Sequence, residues 1–149
     1  RTLQSQFPGS RSGIAVHAFN RPEWFFSAVG ALAAGWTVSG IYLTNTYEQA
    51  KHILQTSEVK VLVLEGLGLL ETTYKTVLDD FPELTVILLD GGDSDDASRT
   101  PSYEPFVGAH PPSQEEASIP LVPLDKDDVA CLVYTRGTTG NPKAVELTM

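Results

Sequence analysis

Apolar and polar residues alternate in blocks along the first part of the chain. Short apolar runs, rich in β-branched residues, predict buried strands at 13–19, 37–43, 59–64 and 84–89. The stretches between them carry apolar residues at helical spacing. Strands and helices that alternate through short joins form parallel sheets with helices on both faces. The pattern therefore predicts an α/β fold, a parallel sheet with helices on its faces.

Two helices are predicted between the first three strands. Residues 24–34 are apolar on nearly every face and follow Pro22, which suits a first helical turn, so this helix is expected to be buried against the sheet. The second helix opens with Thr46 and Gln49, whose spacing is that of a capping box. Its apolar stripe consists of Ala50, Ile53 and Leu54.

A third helix is predicted over residues 70–81, before the fourth strand. Pro82 cannot continue a helix and marks its end. The apolar stripe of this helix consists of Leu70, Tyr74, Val77, Leu78 and Phe81.

Residues 90–127 differ from the rest and predict a Pro-rich connecting segment within the same domain. Prolines recur along this segment, and acidic residues cluster at 93–96. Carboxylates suit hard cations, but the cluster has neither EF-hand spacing nor a closing Glu, so we interpret it as an exposed loop. Residues 127–135 then predict another buried strand.

Composition narrows the possible partners. A chain of 149 residues with 42% hydrophobic and 19% charged residues is typical of one globular domain. The formal net charge of −9 argues against a broad nucleic-acid-binding surface, which requires clustered cations. Binding of a single nucleotide remains open, because a local set of donors is sufficient for it.

Cellular location is constrained only weakly. Cys131 is the single cysteine, so no disulfide forms within the chain, and its apolar surroundings favour packing over a catalytic thiol. The apolar run at 24–36 falls short of the roughly 20 residues of a transmembrane span. No signal peptide is visible. Because the chain starts at Arg1 and ends inside a predicted strand, we expect a fragment of a longer protein. The lack of a disulfide makes a reducing compartment the default, so we expect a cytoplasmic location, with peripheral attachment to the endoplasmic reticulum or other membranes left open.

The strongest chemical signal follows the strand at 127–135. Two glycines let successive backbone N–H groups converge on phosphate oxygens, three threonines offer hydroxyls to phosphate or Mg²⁺, and a lysine supplies a cation for the outer phosphates. The predicted phosphate-binding set is Thr135, Arg136, Gly137, Thr138, Thr139, Gly140, Asn141, Pro142 and Lys143.

Two other interpretations of this segment were weighed. It is not a Walker A loop, because Lys143 follows Pro142 and the alternating Val145 and Leu147 predict a strand instead of a helix. The same turn-forming residues would also make an ordinary hairpin. Three threonines and a lysine exceed what a hairpin requires, so phosphate binding is favoured.

The segment resembles the signature Tyr-Thr-Ser-Gly-Thr-Thr-Gly-x-Pro-Lys-Gly of the adenylate-forming superfamily. The matching positions are Tyr134, Thr135, Gly137, Thr138, Thr139, Gly140, Pro142 and Lys143. Residues 20–30 (NRPEWFFSAVG) and 40–42 (GIY) are similar to the early region of long-chain acyl-CoA synthetases of the bubblegum type.

This resemblance implies that residues 1–149 are a partial AMP-binding domain, an incomplete part of the large amino-terminal domain of an adenylate-forming enzyme. It implies a ligase that activates fatty acids as acyl-adenylates with ATP and transfers them to coenzyme A. Mg²⁺ would assist ATP. In that role Lys143 is the candidate catalytic residue, and Thr138 is the candidate metal ligand.

Two positions depart from the signature. Arg136 stands where the family has Ser, and Ala144 stands where it has Gly. The family's adenine-binding motif, ribose-binding Asp and catalytic Lys of the carboxy-terminal domain lie beyond residue 149, so we expect the isolated segment to lack synthetase activity. The alternatives are an inactive truncated relic, a binding module, or another adenylate-forming enzyme.

Overall fold

The computed structural model describes residues 12–91, 99–103, 122–135 and 141–149. Within these ranges one sheet holds β1 (Gly13–His17), β2 (Thr37–Gly40), β3 (Val59–Leu64), β4 (Thr85–Leu88), β5 (Val129–Thr135) and β6 (Lys143–Thr148). The helices in the same ranges are α1 (Pro22–Ala33), α2 (Tyr47–Thr56), α3 (Leu67–Thr72) and α4 (Val77–Asp80).

The strands lie in the order β4-β3-β1-β2-β5-β6. All neighbours are parallel except β5 and β6, which are antiparallel. The predicted α/β fold with a parallel sheet is therefore confirmed, apart from the last strand. Only a few residues join β5 to β6, and a connection this short pairs strands antiparallel, because a parallel neighbour needs a long crossover.

The two faces of the sheet form separate cores because strand side chains alternate between faces. Ile14 and Val16 of β1 pack in one core, together with Ala28 and Ala31 of α1. Ala15 lies in the other core, beneath α2 and the segment that follows β3. The capping box of α2 is confirmed: Thr46 Oγ1 accepts a hydrogen bond from the Gln49 amide, and the Gln49 side chain accepts one from the Thr46 amide.

Helix α1 packs against the sheet as predicted, but only one side of it is buried. Phe25 and Phe26 are 61% and 59% exposed. Alanines make the closest contact with the sheet, and no described element covers the opposite side of the helix. An apolar surface along a helix does not by itself determine how much of that surface is covered.

The single helix predicted over 70–81 is wrong as well, because α3 and α4 are separate short helices. The break lies at 73–76, next to the β-branched residues Thr72 and Thr73, which fit helices less well. Tyr74 in this break is completely buried.

Lys51 and Tyr47 of α2 bind the carboxylate of Asp80 in α4. These hydrogen bonds, first that from Lys51, lower the pKa of Asp80 to about 2.

Tyr74 closes the core above β1. Its hydroxyl lies 2.7 Å from Nδ1 of His17, and the two rings meet edge to face. His17 is buried too, and burial lowers its pKa, so the neutral imidazole is favoured. This contact accounts for a histidine in the apolar β1 strand.

Residues 99–103 of the connecting segment lie against the sheet. Backbone amides of Val86 and Leu88 in β4 donate to the carbonyls of Arg99 and Pro101, so residues 99–102 extend the sheet edge. Tyr103 packs against the α1 core. The acidic cluster at 93–96 lies outside the described residues.

Gly13 and Gly30 provide a matched test of this packing. A Cβ atom at Gly13 would clash with the carbonyl oxygen of Ser57, whereas one at Gly30 would meet no described atom within 4 Å beyond its own helix backbone and chain neighbours. We expect Gly13→Ala to lower the free energy of unfolding by about 1–3 kcal/mol through the clash. Gly30→Ala, inside α1, is expected to raise it by about 1 kcal/mol. Urea denaturation measures both, and equal effects of the two substitutions would contradict this assignment.

Candidate functional site

The described members of the predicted phosphate-binding set lie where β5 ends and β6 begins. Thr135 and Lys143 form the last cross-strand pair before the loop, and Thr135 Oγ1 donates a hydrogen bond to the Lys143 carbonyl at 3.4 Å. Both side chains are exposed, as is Asn141, whereas Pro142 is buried. The hairpin interpretation and the phosphate-binding interpretation are thus compatible, because the hairpin is what brings these side chains together.

The described part of the site contains Thr135, Asn141, Pro142 and Lys143. Arg136, Gly137, Thr138, Thr139 and Gly140 lie outside the described residues, and their roles stay predictions. Lys143 is the first residue of β6, directly after the loop. Its side chain is exposed, so the ammonium group is available to an anion.

Helix α2 contacts both sides of this loop. His52 Nε2 lies 3.1 Å from the carbonyl oxygen of Pro142, and Thr56 Oγ1 lies 2.7 Å from the hydroxyl of Tyr134. No local pattern indicates a contact between residues 90 positions apart.

A cavity of about 580 Å³ lies beside the hairpin, at the carboxyl ends of β1, β2 and β5. Its walls are mainly apolar and include Trp24, Ile41, Leu132, Val133 and Tyr134. Cys131 also lines it, and burial raises the pKa of the thiol, which opposes formation of a nucleophilic thiolate. The prediction that Cys131 is a packing residue agrees with this environment.

Trp24, Phe25 and Phe26 do not share one environment. Trp24 packs against the α1 core and lines the cavity. Phe25 and Phe26 lie on the exposed side of α1.

A cluster of ion pairs lies at the carboxyl ends of β1 and β3 and lines a second cavity. The chain leaves β1 for α1 on one face and leaves β3 for α3 on the other, and ligands often bind at such a point of an open α/β sheet. Here Glu65 accepts hydrogen bonds from the Phe19 amide at 2.7 Å and from Arg21 Nη1 at 3.2 Å. Arg21 also pairs with Glu23 and Asp90. The chain's own ion pairs thus line this end of the sheet.

Arg21 also determines the charge state of this cluster. Its hydrogen bond with Glu23, followed by that with Asp90, raises the pKa of the guanidinium, and the same bond lowers the pKa of Glu23. Both changes favour the ionised pair. The cluster joins the loops that follow β1, β3 and β4 at the edge of the sheet.

Within the described ranges, no group of three or more His, Cys, Asp or Glu side chains is arranged to hold a metal ion. Among the helices of those same ranges, none has both the length and the apolar character needed to span a bilayer.

Comparison with known proteins agrees with the motif. The model of the AMP-binding enzyme family matches residues 3–149. The long-chain-fatty-acid–CoA ligase ACSBG1 of Rattus norvegicus is 35% identical over 136 residues, which cover 90% of this chain and 19% of that protein. The long-chain-fatty-acid–CoA ligase heimdall of Drosophila melanogaster is 33% identical over 143 residues, covering 92% of this chain and 21% of its own length. The chain thus spans about a fifth of these relatives.

The fold has a close counterpart among solved structures. The anthranilate CoA ligase AuaEII, in complex with anthranoyl-AMP, superposes with a TM-score of 0.82 over 99% of this chain and 27% of that one, at 19% identity. This similarity confirms the architecture, an α/β segment of the kind found in adenylate-forming enzymes. The resemblance of the chain to long-chain acyl-CoA synthetases of the bubblegum type is confirmed by the identities above. Since the family model matches nearly the whole sequence, the chain belongs to the AMP-binding enzyme family.

Proposed function

We propose that the chain is the part of a long-chain fatty acid–CoA ligase that binds the phosphates of ATP. The observation that carries the proposal is the hairpin tip, where Thr135 and Lys143 stand exposed on either side of a loop that matches the signature. The identity with long-chain-fatty-acid–CoA ligases over 90% of the chain supports a fatty acid as the substrate class.

The proposed reaction has two displacements. A carboxylate oxygen of the fatty acid attacks the α-phosphorus of ATP, the bond to the bridging oxygen breaks, and pyrophosphate leaves. The thiolate of coenzyme A then attacks the acyl carbon, and AMP leaves with the electrons of the mixed-anhydride bond. Both steps depend on positioning and on stabilising the charge of the leaving group.

The hairpin would act in the first displacement. Lys143 would neutralise charge on the departing pyrophosphate, and the Thr135 hydroxyl would bind a phosphate oxygen. Mg²⁺ prefers oxygen ligands and, when bound, shares the charge of the phosphates. The exposed Thr135 hydroxyl is chemically suited to such a site, and Thr138 is proposed as its direct ligand from the protein.

ATP–pyrophosphate exchange on the full-length protein tests the proposal. We expect exchange that depends on Mg²⁺ and on a long-chain fatty acid such as palmitate, because adenylation is reversible before the thiol attacks. Amino acids and anthranilate should not support it, and they serve as matched alternatives within the same reaction class. Exchange driven by an amino acid or by anthranilate would reassign the substrate, and the absence of exchange with every acid would overturn the proposal.

A further inference from the structure

Helix α2 holds the phosphate-binding hairpin at two points, one on each strand. His52 lies against Pro142, which precedes β6, and Thr56 lies against Tyr134 in β5. Residues four apart on a helix share a face, so one surface of α2 contacts both sides of the hairpin. Tyr134 and Pro142 are buried, so water competes little for these hydrogen bonds.

The acceptors determine the direction of each hydrogen bond. A carbonyl oxygen only accepts, so Nε2 of His52 carries the proton that it shares with Pro142. Thr56 has a single hydroxyl proton and donates it to the carbonyl of His52 at 2.8 Å. The oxygen of Thr56 therefore accepts from Tyr134. The His52 ring thus contacts Pro142 directly, and the His52 carbonyl is linked to Tyr134 through the Thr56 hydroxyl.

The contact with Pro142 bears on Lys143 because the peptide bond between them is planar. The Pro142 carbonyl and the Lys143 amide lie in one rigid unit, so a hydrogen bond on the carbonyl orients the start of Lys143. The lysine side chain is exposed and flexible, which leaves its backbone as the part that the fold is able to orient. A catalytic group needs such placement, since small displacements reduce rates strongly.

We propose that His52 is a positioning residue of the nucleotide site, and that Thr56 assists it by holding Tyr134. The inference rests on the proposed function of the hairpin. It assigns a task to α2, a helix that contributes no residue to the signature motif.

The test compares His52→Phe, His52→Gln and Gln55→Ala in the full-length protein. Phenylalanine keeps the ring without a donor, glutamine restores an N–H donor, and Gln55 is an exposed neighbour on the same helix. We expect His52→Phe to lower kcat/KM for ATP about 3- to 10-fold, the range of one lost hydrogen bond, with KM for the fatty acid unchanged. His52→Gln should recover most of the loss, and Gln55→Ala should behave like the wild type.

Hydrogen–deuterium exchange supplies a readout that does not need nucleotide. In His52→Phe the peptides covering 135–145 should exchange faster, with those covering β1 and β3 unchanged. If His52→Phe folds poorly, Thr56→Val and Thr56→Ser make the same comparison at the contact with Tyr134 in β5. Valine removes the hydroxyl, and serine keeps it.

The inference is overturned if His52→Phe has the kinetic constants of the wild type and the same hydrogen–deuterium exchange in residues 135–145. Equal losses in all three variants would overturn it as well, because they would report a disturbed helix. If the wild-type protein catalyses no ATP–pyrophosphate exchange, the proposed function fails. Hydrogen–deuterium exchange still decides in that case whether His52 holds the hairpin.

Discussion

Replacing Lys143 with alanine is expected to lower kcat/KM for ATP by about 10²- to 10³-fold, the usual cost of removing one group aimed at developing charge. Pyrophosphate gains negative charge as the bond to the α-phosphorus breaks. Among the described residues of the motif, Lys143 is the one that carries a positive charge. Its side chain is exposed, so the substitution should leave the melting temperature unchanged. ATP–pyrophosphate exchange and thermal denaturation of the full-length variant measure the two effects.

Lys126→Ala is the matched control for this prediction. Lys126 is another exposed lysine, and its ammonium lies 3.3 Å from a carboxylate oxygen of Asp127. Removing it changes the net charge equally without touching the hairpin, so exchange should remain at the wild-type rate. A loss of the same size in both variants would indicate a general electrostatic effect and would contradict the role of Lys143.

Replacing Tyr74 with alanine is expected to lower the free energy of unfolding by about 3–5 kcal/mol, the range for deleting a large buried ring. Tyr74 is fully buried, packs edge to face with His17 and Tyr47, and closes the core between β1 and α3. A loss of this size is a large fraction of the stability of a typical domain, about 5–15 kcal/mol. Urea denaturation followed by circular dichroism measures it.

Tyr74→Phe separates the ring from the hydroxyl. It keeps the packing but leaves Nδ1 of His17 buried without its partner, so a smaller loss of about 1–3 kcal/mol is expected. If alanine and phenylalanine destabilise the protein equally, the hydrogen bond and not the packing accounts for the effect of Tyr74.

Elements with strong local signals could be predicted from the sequence. Strand β3 was predicted at its observed bounds because its β-branched run is short and has clear flanks. The start of α2 was predicted because a capping box involves residues only three apart. The phosphate-binding loop was predicted from the chemistry of its residue types, and its position between two strands agrees with the hairpin.

Predictions were incomplete or wrong where coverage by distant segments mattered. Residues 24–34 are apolar around the helix, yet Phe25 and Phe26 are exposed because no described element packs outside α1. The stripe over 70–81 indicated one helix, but burial of Tyr74 against His17 is compatible with a break at that point. Periodicity shows which positions are apolar, and it does not show what packs against them.

The sequence by itself determined the α/β alternation, the capping box of α2 and the signature motif, because each depends on residues close together along the chain. Only the tertiary structure decided that His52 and Thr56 contact Pro142 and Tyr134 of that motif, that Arg21 joins the loops after β1, β3 and β4, and that β6 runs antiparallel at the sheet edge. Contacts of this kind join residues far apart in the chain. They are set by how whole elements pack, which short-range patterns do not encode.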